Sequence, residues 1–333
     1  MTRRTFNRQQ HADHQPALLP GFDYFWQYAA ERQRVYHLQL TGRKPLFTDN
    51  PVISTYRFTN VYRAADRVSQ HLINRVQYDD NWDWPDTFAR TMVFKLFNRI
   101  DTWRYLVEQL GQPRLADLAE QRIDKALASI AGARPLYNPA YVMPPPRQME
   151  GPKFKRHLDL LRLMIRDKAP QLIKGAKTME EAFNILRAYP SVGDFLAYQF
   201  IIDLNYSRHL QFSENEFVVA GPGSLRGLRK CFGRATKANA ADLIRWTAER
   251  QEKEFASREL PWRDLRGRPM QLIDVQNVFC EVDKYTRLAA PRLSRLAPGK
   301  RPKQYYRPAG ERLTAEFPPK WRLSEPPVNP VLS

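Results

Sequence analysis

Leu186-Arg-Ala-Tyr-Pro190-Ser-Val-Gly193-Asp-Phe-Leu-Ala197 reads as the end of one helix, a tight turn and the start of a second helix. Proline cannot continue the first helix, and Gly193 permits a close turn and a close backbone approach. The free N–H groups that open the second helix can hold a phosphate, and such a contact sets position without reading sequence. Pro190, Ser191, Val192 and Gly193 are therefore candidate contacts to a DNA backbone, although an ordinary helical hairpin uses the same residue types.

Working outward, Phe195 to Leu204 reads as a long apolar helix. Glu216-Phe-Val-Val-Ala220-Gly-Pro-Gly223-Ser-Leu-Arg-Gly-Leu228 follows, a short apolar approach, a glycine turn and a basic helix. Gly221, Pro222, Gly223 and Arg226 extend the candidate DNA surface. Neither the spacing nor the Gly-Lys-Ser/Thr ending of a nucleotide-binding P-loop is present. This order of hairpin, helix, extended piece, glycine loop and helix resembles the helix-hairpin-helix DNA glycosylases. The resemblance implies an all-α fold of two helical subdomains with a cleft between them. Two positions depart from it. Ala220-Gly221 stands where those enzymes carry an aspartate, and Phe195 stands where the lyase subset carries its lysine. The second departure argues against Schiff-base chemistry.

The remaining sequence sets the class. The 333 residues carry a formal net charge of +18, which attracts polyanions, and 43% are hydrophobic, enough for a sizeable core. No apolar run reaches membrane-spanning length, and the start, MTRRTFNRQQHADHQP, lacks a secretory core, so a cytoplasmic monomer without membrane contact is expected. Cys231 and Cys280 cannot form a cysteine-rich metal site, and both are expected to be packed in the interior. His37, His71, His157 and His209 are scattered, so neither a metal nor a cofactor is expected. Residues 1–20 read as a flexible basic arm, 21–134 as an N-terminal helical subdomain and 135–150 as a proline-rich connection. Residues 151–295 then form the hairpin-bearing subdomain, and 296–333 a basic, proline-rich tail that wraps the surface or is disordered. Helices are expected near 61–76, 86–99, 101–111 and 114–132, then near 152–168, 178–188, 192–206, 223–232, 238–256 and 270–288.

Four further segments narrow the comparison: Tyr56-Arg-Phe-Thr-Asn60-Val-Tyr-Arg63-Ala-Ala-Asp66-Arg67-Val, Met92-Val-Phe-Lys-Leu-Phe-Asn98, Asp203-Leu-Asn-Tyr206 and Asp274-Val-Gln-Asn277-Val-Phe-Cys280-Glu281-Val-Asp283-Lys284-Tyr285-Thr-Arg287. With the Ala-Gly-Pro-Gly loop, their order over about residues 20–290 resembles the alpha-glutamyl/putrescinyl thymine pyrophosphorylases, whose helical domain also accompanies 5-hydroxymethyluracil DNA kinases. That resemblance implies work on hypermodified bases of phage DNA. Some members resemble transferases that complete a thymine hypermodification, and others resemble bacterial defence glycosylases.

Base excision needs a held carboxylate near the sugar, polar groups for the base and a pocket for a flipped nucleotide. Asp203, Asp283, Glu281 and Lys284 are the candidate catalytic residues. Asp203 ends an apolar stretch, where an acid is costly unless paired. Asp283 and Arg287 lie one helical turn apart, and the alternative reading is a solvated ion pair. Asn60, Arg63, Asp66, Arg67, Asn98, Asn277 and Arg287 are candidates for the base pocket, with Asn60 a possible helix cap. Tyr24, Trp26, Tyr56 and Trp82 could stack on a flipped base, although most aromatics of a helical protein are core.

Three readings follow. The first is a monofunctional DNA glycosylase that excises a hypermodified pyrimidine from double-stranded phage DNA, leaving an abasic site in anti-phage defence. The second is a transferase or pyrophosphorylase-type enzyme that modifies an activated hydroxymethyl-pyrimidine with an amine or amino acid. The third is a DNA-binding module without chemistry. The first is preferred on sequence.

Overall fold

The computed structural model describes residues 16–41, 47–139, 143–295, 304–307 and 315–324. Every regular element among them is helical, as the sequence pattern predicts. Helix α1 (Gly21–Leu40) buries Phe22, Phe25, Trp26 and Ala29 along one stripe. Helix α2 (Pro51–Thr55) opens at Asn50, whose side chain accepts from the amides of Val52 and Ile53, both at 3.1 Å.

The single helix expected over 61–76 is broken. Arg63–Ala65 form a 3-10 turn, α3 (Arg67–Leu72) follows, and Ile73–Gln77 are a π turn. Asp66 is the cause: its backbone is extended (ψ 143°), and its Oδ1 accepts from the Asn60 amide at 2.7 Å. Asn60 is thus held by Asp66 and starts no helix; its side-chain Nδ2 instead donates to the Ala65 carbonyl at the end of the 3-10 turn, at 2.7 Å. Helices α4 (Trp84–Phe97) and α5 (Ile100–Leu110) are joined through Asn98, which is left-handed at φ 49°. Gln121, at φ 57°, splits the helix expected over 114–132 into α6 (Leu115–Ala119) and α7 (Arg122–Ile130). Helix α8 (Lys153–Arg166) precedes the short α9 (Ala169–Gly175), which the sequence pattern does not foretell.

The hairpin is formed by α10 (Met179–Arg187) and α11 (Asp194–Asn205). Every residue of α11 from Leu196 to Asn205 is buried, so this helix runs through the centre of the molecule. It packs on α10 and α4. Helix α12 (Pro222–Cys231) lies along α15 (Leu272–Ala289), with α13 (Ala240–Glu249) packed on both and α14 (Gln251–Ser257) on α13 and α1. Helix α1 packs on α12 and α15, so the start of the described chain lies against its last long helix.

Glycines set the α12–α15 contact. A Cβ on Gly223 would lie 2.4 Å from Cys280 Sγ, and one on Gly227 would lie 1.9 Å from the Phe279 carbonyl oxygen. Spaced four residues apart, they let two backbones approach at one face. Both ends of the chain are partly tied down. In the segment expected to be a flexible arm, Leu18 bridges Phe232 and the Leu19 amide donates to the Cys231 carbonyl at 2.9 Å; residues 1–15 lie outside the described set. Of the expected tail, Tyr305 bridges Tyr56, and Phe317 is buried.

Gly227→Ala should destabilise the fold by about 1–3 kcal/mol, because backbone rather than a side chain must move. Urea unfolding reads this as a lower midpoint at constant slope; an unshifted midpoint removes the close-approach argument.

Candidate active site

Two consecutive backbone amides organise the polar centre. The Thr59 amide donates to Glu281 Oε2 at 3.4 Å, and the next amide, of Asn60, donates to Asp66 Oδ1 at 2.7 Å. One turn of chain thereby places a carboxylate from α15 beside one from the start of α3. Asn277, one turn before Glu281, donates to the Asn60 carbonyl at 2.8 Å. Lys284 Nζ pairs with Glu281 Oε1 at 2.5 Å. Asp66 Oδ2 accepts no hydrogen bond among the described residues, and the buried Asn60 Oδ1 has no partner.

Burial pushes the Asp66 carboxyl up to about 6, with the Glu281 charge adding to the rise and the Asn60 amide and Arg32 opposing it. Burial opposes the charge on Lys284, but the Glu281 carboxylate outweighs it and holds the ammonium well above its ordinary value. A carboxyl poised near 6 with a free oxygen can take up or release a proton close to neutral pH. Sequence reasoning missed three partners here. Arg32 Nε donates to the Thr59 carbonyl at 3.1 Å, the Tyr28 hydroxyl reaches the same oxygen at 3.4 Å, and the Thr59 amide is backbone and has no residue signature.

The other candidates gather elsewhere. Arg63 forms two bonds to Asp203, Nη1 to Oδ1 at 2.7 Å and Nη2 to Oδ2 at 2.9 Å, and its Nε reaches Gln199 at 3.0 Å. Lys95 Nζ sits 3.2 Å from Asp203 Oδ2 and donates to Asn98 Oδ1 at 2.8 Å. Burial alone would raise the Asp203 carboxyl, but Arg63 and Lys95 outweigh it and hold it below its ordinary value. With 0% exposure and both oxygens taken by cations, Asp203 has no path to a substrate in this conformation. Asp283, also at 0% exposure, is ringed by Arg226 Nε at 2.9 Å, Lys230 Nζ at 3.0 Å and Arg287. This cluster joins α12 to α15. Arg67 is exposed at the start of α3.

At the hairpin, the left-handed residue is Ser191 at φ 62°, and Gly193 is extended at φ −79° and ψ 176°. The turn therefore does not need glycine at 193 for its backbone angle; a Cβ there would meet nothing within 4 Å, so this backbone is open. Val192 is buried beneath it. Asp194 opens α11 and pairs with Arg187 and, at 2.9 Å, with Lys237. The glycine loop is more covered than its sequence suggests. Gly221 lies under the Phe195 ring, 2.7 Å from where a Cβ would be, and Pro222 supplies no amide proton. Of the stacking candidates, Trp26 is core, Tyr24 packs near Tyr285, Tyr56 stacks on Tyr305, and Trp82 lies under Arg90. Cys231 is buried as expected, whereas Cys280 is half-buried beside Gly223. No group of His, Cys, Asp and Glu among the described residues is arranged to hold a metal. No helix among them is long and apolar enough to cross a membrane.

Residues 20–295, which carry the whole of this arrangement, match the family model described as the helical domain of 5-hmdU DNA kinase. The chain belongs to that family. It is 25% identical over 308 residues to a 5-hmdU DNA kinase of Bacillus phage SP10, an alignment covering 85% of this chain and 48% of the phage protein. The chain thus spans about half the length of that relative. No solved structure matches it significantly. The family corrects the preferred sequence reading. The named relative is a kinase, a transferase acting on DNA, so the expected hydrolytic, monofunctional DNA N-glycosylase is overturned, and membership of a glycosylase family is unsupported.

Asp203→Asn strands two buried cations and should cost about 3–5 kcal/mol of stability, read by thermal or urea unfolding. Asp66→Asn keeps an acceptor for the Asn60 amide and should leave unfolding near wild type at neutral pH. Equal losses in both variants would dissolve the distinction between the two environments. The pH dependence has a fixed sign. Asp66 binds its proton more tightly folded, at about 6, than at its ordinary 3.8, so its contribution to stability is full below about 4 and is lost as pH rises through 6. Asp66→Asn should flatten that part of the stability–pH curve; an unchanged curve would mean that Asp66 is not buried as described.

Proposed function

We propose that this chain is a DNA base-modifying transferase that acts on an activated 5-hydroxymethyl-pyrimidine in DNA and places an amine or amino acid on its exocyclic carbon. The observation that carries this reading is the Asp66–Glu281 pair held on adjacent amides, within a family whose named relative acts on 5-hydroxymethyluracil in DNA. The amine nitrogen attacks the methylene carbon attached to C5, and the carbon–oxygen bond to the phosphate or pyrophosphate breaks. The attacking amine must lose a proton. Asp66 Oδ2 is free to accept it, and a carboxyl near 6 is ionised at neutral pH. Lys284 offers positive charge to the departing anion. Asp203 and Asp283 serve in this scheme as ion-pair anchors that position the helices.

Docking to double-stranded DNA is assigned to the open backbone at Gly193 and to Arg226, which is about a third exposed, with the net charge of +18 supplying attraction. The helix-hairpin-helix character and a monomeric state belong to the same proposal. Phosphoryl transfer from a nucleotide is the weaker reading, because this sequence carries no Gly-Lys-Ser/Thr phosphate loop.

The test is incubation of the protein with duplex DNA bearing 5-phosphomethyl- or 5-pyrophosphomethyl-uracil and a panel of amines and amino acids, followed by digestion and mass analysis. An amine-substituted nucleoside and released phosphate or pyrophosphate are expected, and unchanged nucleosides across the panel would overturn the reading. In the active assay, turnover should rise as pH increases through about 6 and should fall at least about a hundredfold in Asp66→Asn with DNA affinity retained. A wild-type rate in that variant would remove Asp66 from the mechanism.

A further inference from the structure

A cavity of about 160 Å³ is walled by Phe47, Ile53, Tyr56, Phe58 and Tyr306, with Arg32 contributing the charged part of its lining. Arg32 is only 8% exposed. Its Nε is used by the Thr59 carbonyl at 3.1 Å, but its Nη1 is buried with no hydrogen-bond partner, and no carboxylate pairs with it among the described residues. The nearest acid in sequence, Glu31, is already occupied by Arg34 at 2.8 Å and by the Thr48 hydroxyl. A guanidinium keeps its charge at all accessible pH, and Arg32, which acts on Asp66 only from beyond ion-pair distance, leaves a place for an anion at the cavity wall.

The remaining features select the ligand. Aromatic walls favour a flat or branched apolar body, and the guanidinium repels a cation while suiting a carboxylate. The cavity is strapped: the Tyr306 amide donates to the Thr55 carbonyl at 2.9 Å, the Arg57 amide donates to the Gln304 carbonyl at 3.1 Å, and Gln39 reaches the Tyr306 hydroxyl at 3.3 Å. A nucleotide still joined to DNA would have to displace that strap, whereas a small free molecule of matching volume would not. We propose that this cavity binds a small organic monocarboxylate with an apolar, preferably aromatic, body, its carboxylate on the Arg32 guanidinium. The site goes beyond the proposed base chemistry and does not depend on it. It also adjoins that chemistry, because Arg32 holds the carbonyl of the same Thr59 whose amide holds Glu281.

Benzoate, benzamide and benzylamine, titrated into the full-length protein by calorimetry without DNA, test the proposal separately from any transferase activity. Benzoate should bind with a millimolar or tighter Kd. Benzamide should be at least about tenfold weaker for want of charge, and benzylamine should not bind. Arg32→Gln should weaken benzoate at least about tenfold. Ser54→Phe, a change at a half-buried position on the cavity wall that leaves Arg32 in place, should block benzoate without altering the unfolding midpoint. Equal binding of benzoate and benzamide, retention of benzoate binding in both variants, or no benzoate binding up to about 10 mM would each overturn it.

Discussion

Arg63 is the tie on which the geometry of this protein depends. Its amide donates to Asp274 Oδ1 at 2.9 Å, at the start of α15, and its guanidinium grips Asp203 in the last turn of α11. Segment 59–66 is thereby fixed between α11 and α15. Only with that segment fixed do the Thr59 and Asn60 amides point at Glu281 and Asp66. A buried ion pair is an expensive way to add stability, since desolvation consumes most of the Coulomb gain. Its value here is geometric: a guanidinium fork fits one carboxylate in one orientation, and so fixes the register between α11 and the approach to α3. Asp274 carries the other half of the tie, and burial pushes its carboxyl up to about 7 even though it accepts two backbone amides.

The acids of the molecule sort by what surrounds them. Asp203 and Asp283 are wrapped in cations and have no exposure, so their charge is spent holding helices together. Asp66 accepts from one backbone amide, forms no ion pair at contact among the described residues, keeps one oxygen unused and is raised by burial to about 6. A buried carboxyl whose proton is held up to about 6 and whose second oxygen is unused is what a proton-transfer group requires. This is the physical reason for preferring the Asp66–Glu281 centre over the acids that stand out in the sequence.

The sequence revealed what repeats along one chain. The hairpin, the apolar run of α11 and the Asp283–Arg287 turn were all legible, because helical periodicity is written in consecutive residues. It could not reveal that Asp66 would be extended and break a helix, since that follows from an amide six residues earlier in the chain. Arg32 was invisible for a similar reason: on an amphipathic helix a basic residue reads as solvated, and only the packing of residues 53–59 buries it. The glycine loop was misread in part. Gly221 and Gly223 are what an anion cradle needs, but they are equally what a ring and a thiol pressing on a backbone need, and Phe195 and Cys280 occupy that space.

That last contact bears on how the helical unit would meet nucleic acid. Phe195 belongs to the hairpin and Gly221 to the loop, so the ring welds the two turns into one surface. A backbone phosphate arriving there finds open main chain at Gly193 but also the Asp194 carboxylate, which alone would repel it. Arg187 and Lys237 pair with that carboxylate, leaving the local charge positive by one. Arg187, Lys237 and Asp194 are all solvent-accessible, so salt weakens both their mutual attraction and any attraction to a phosphate. Attraction at this surface therefore depends on the balance of those three side chains as much as on the helix terminus, and a hairpin motif read from sequence overstates what its backbone amides supply on their own.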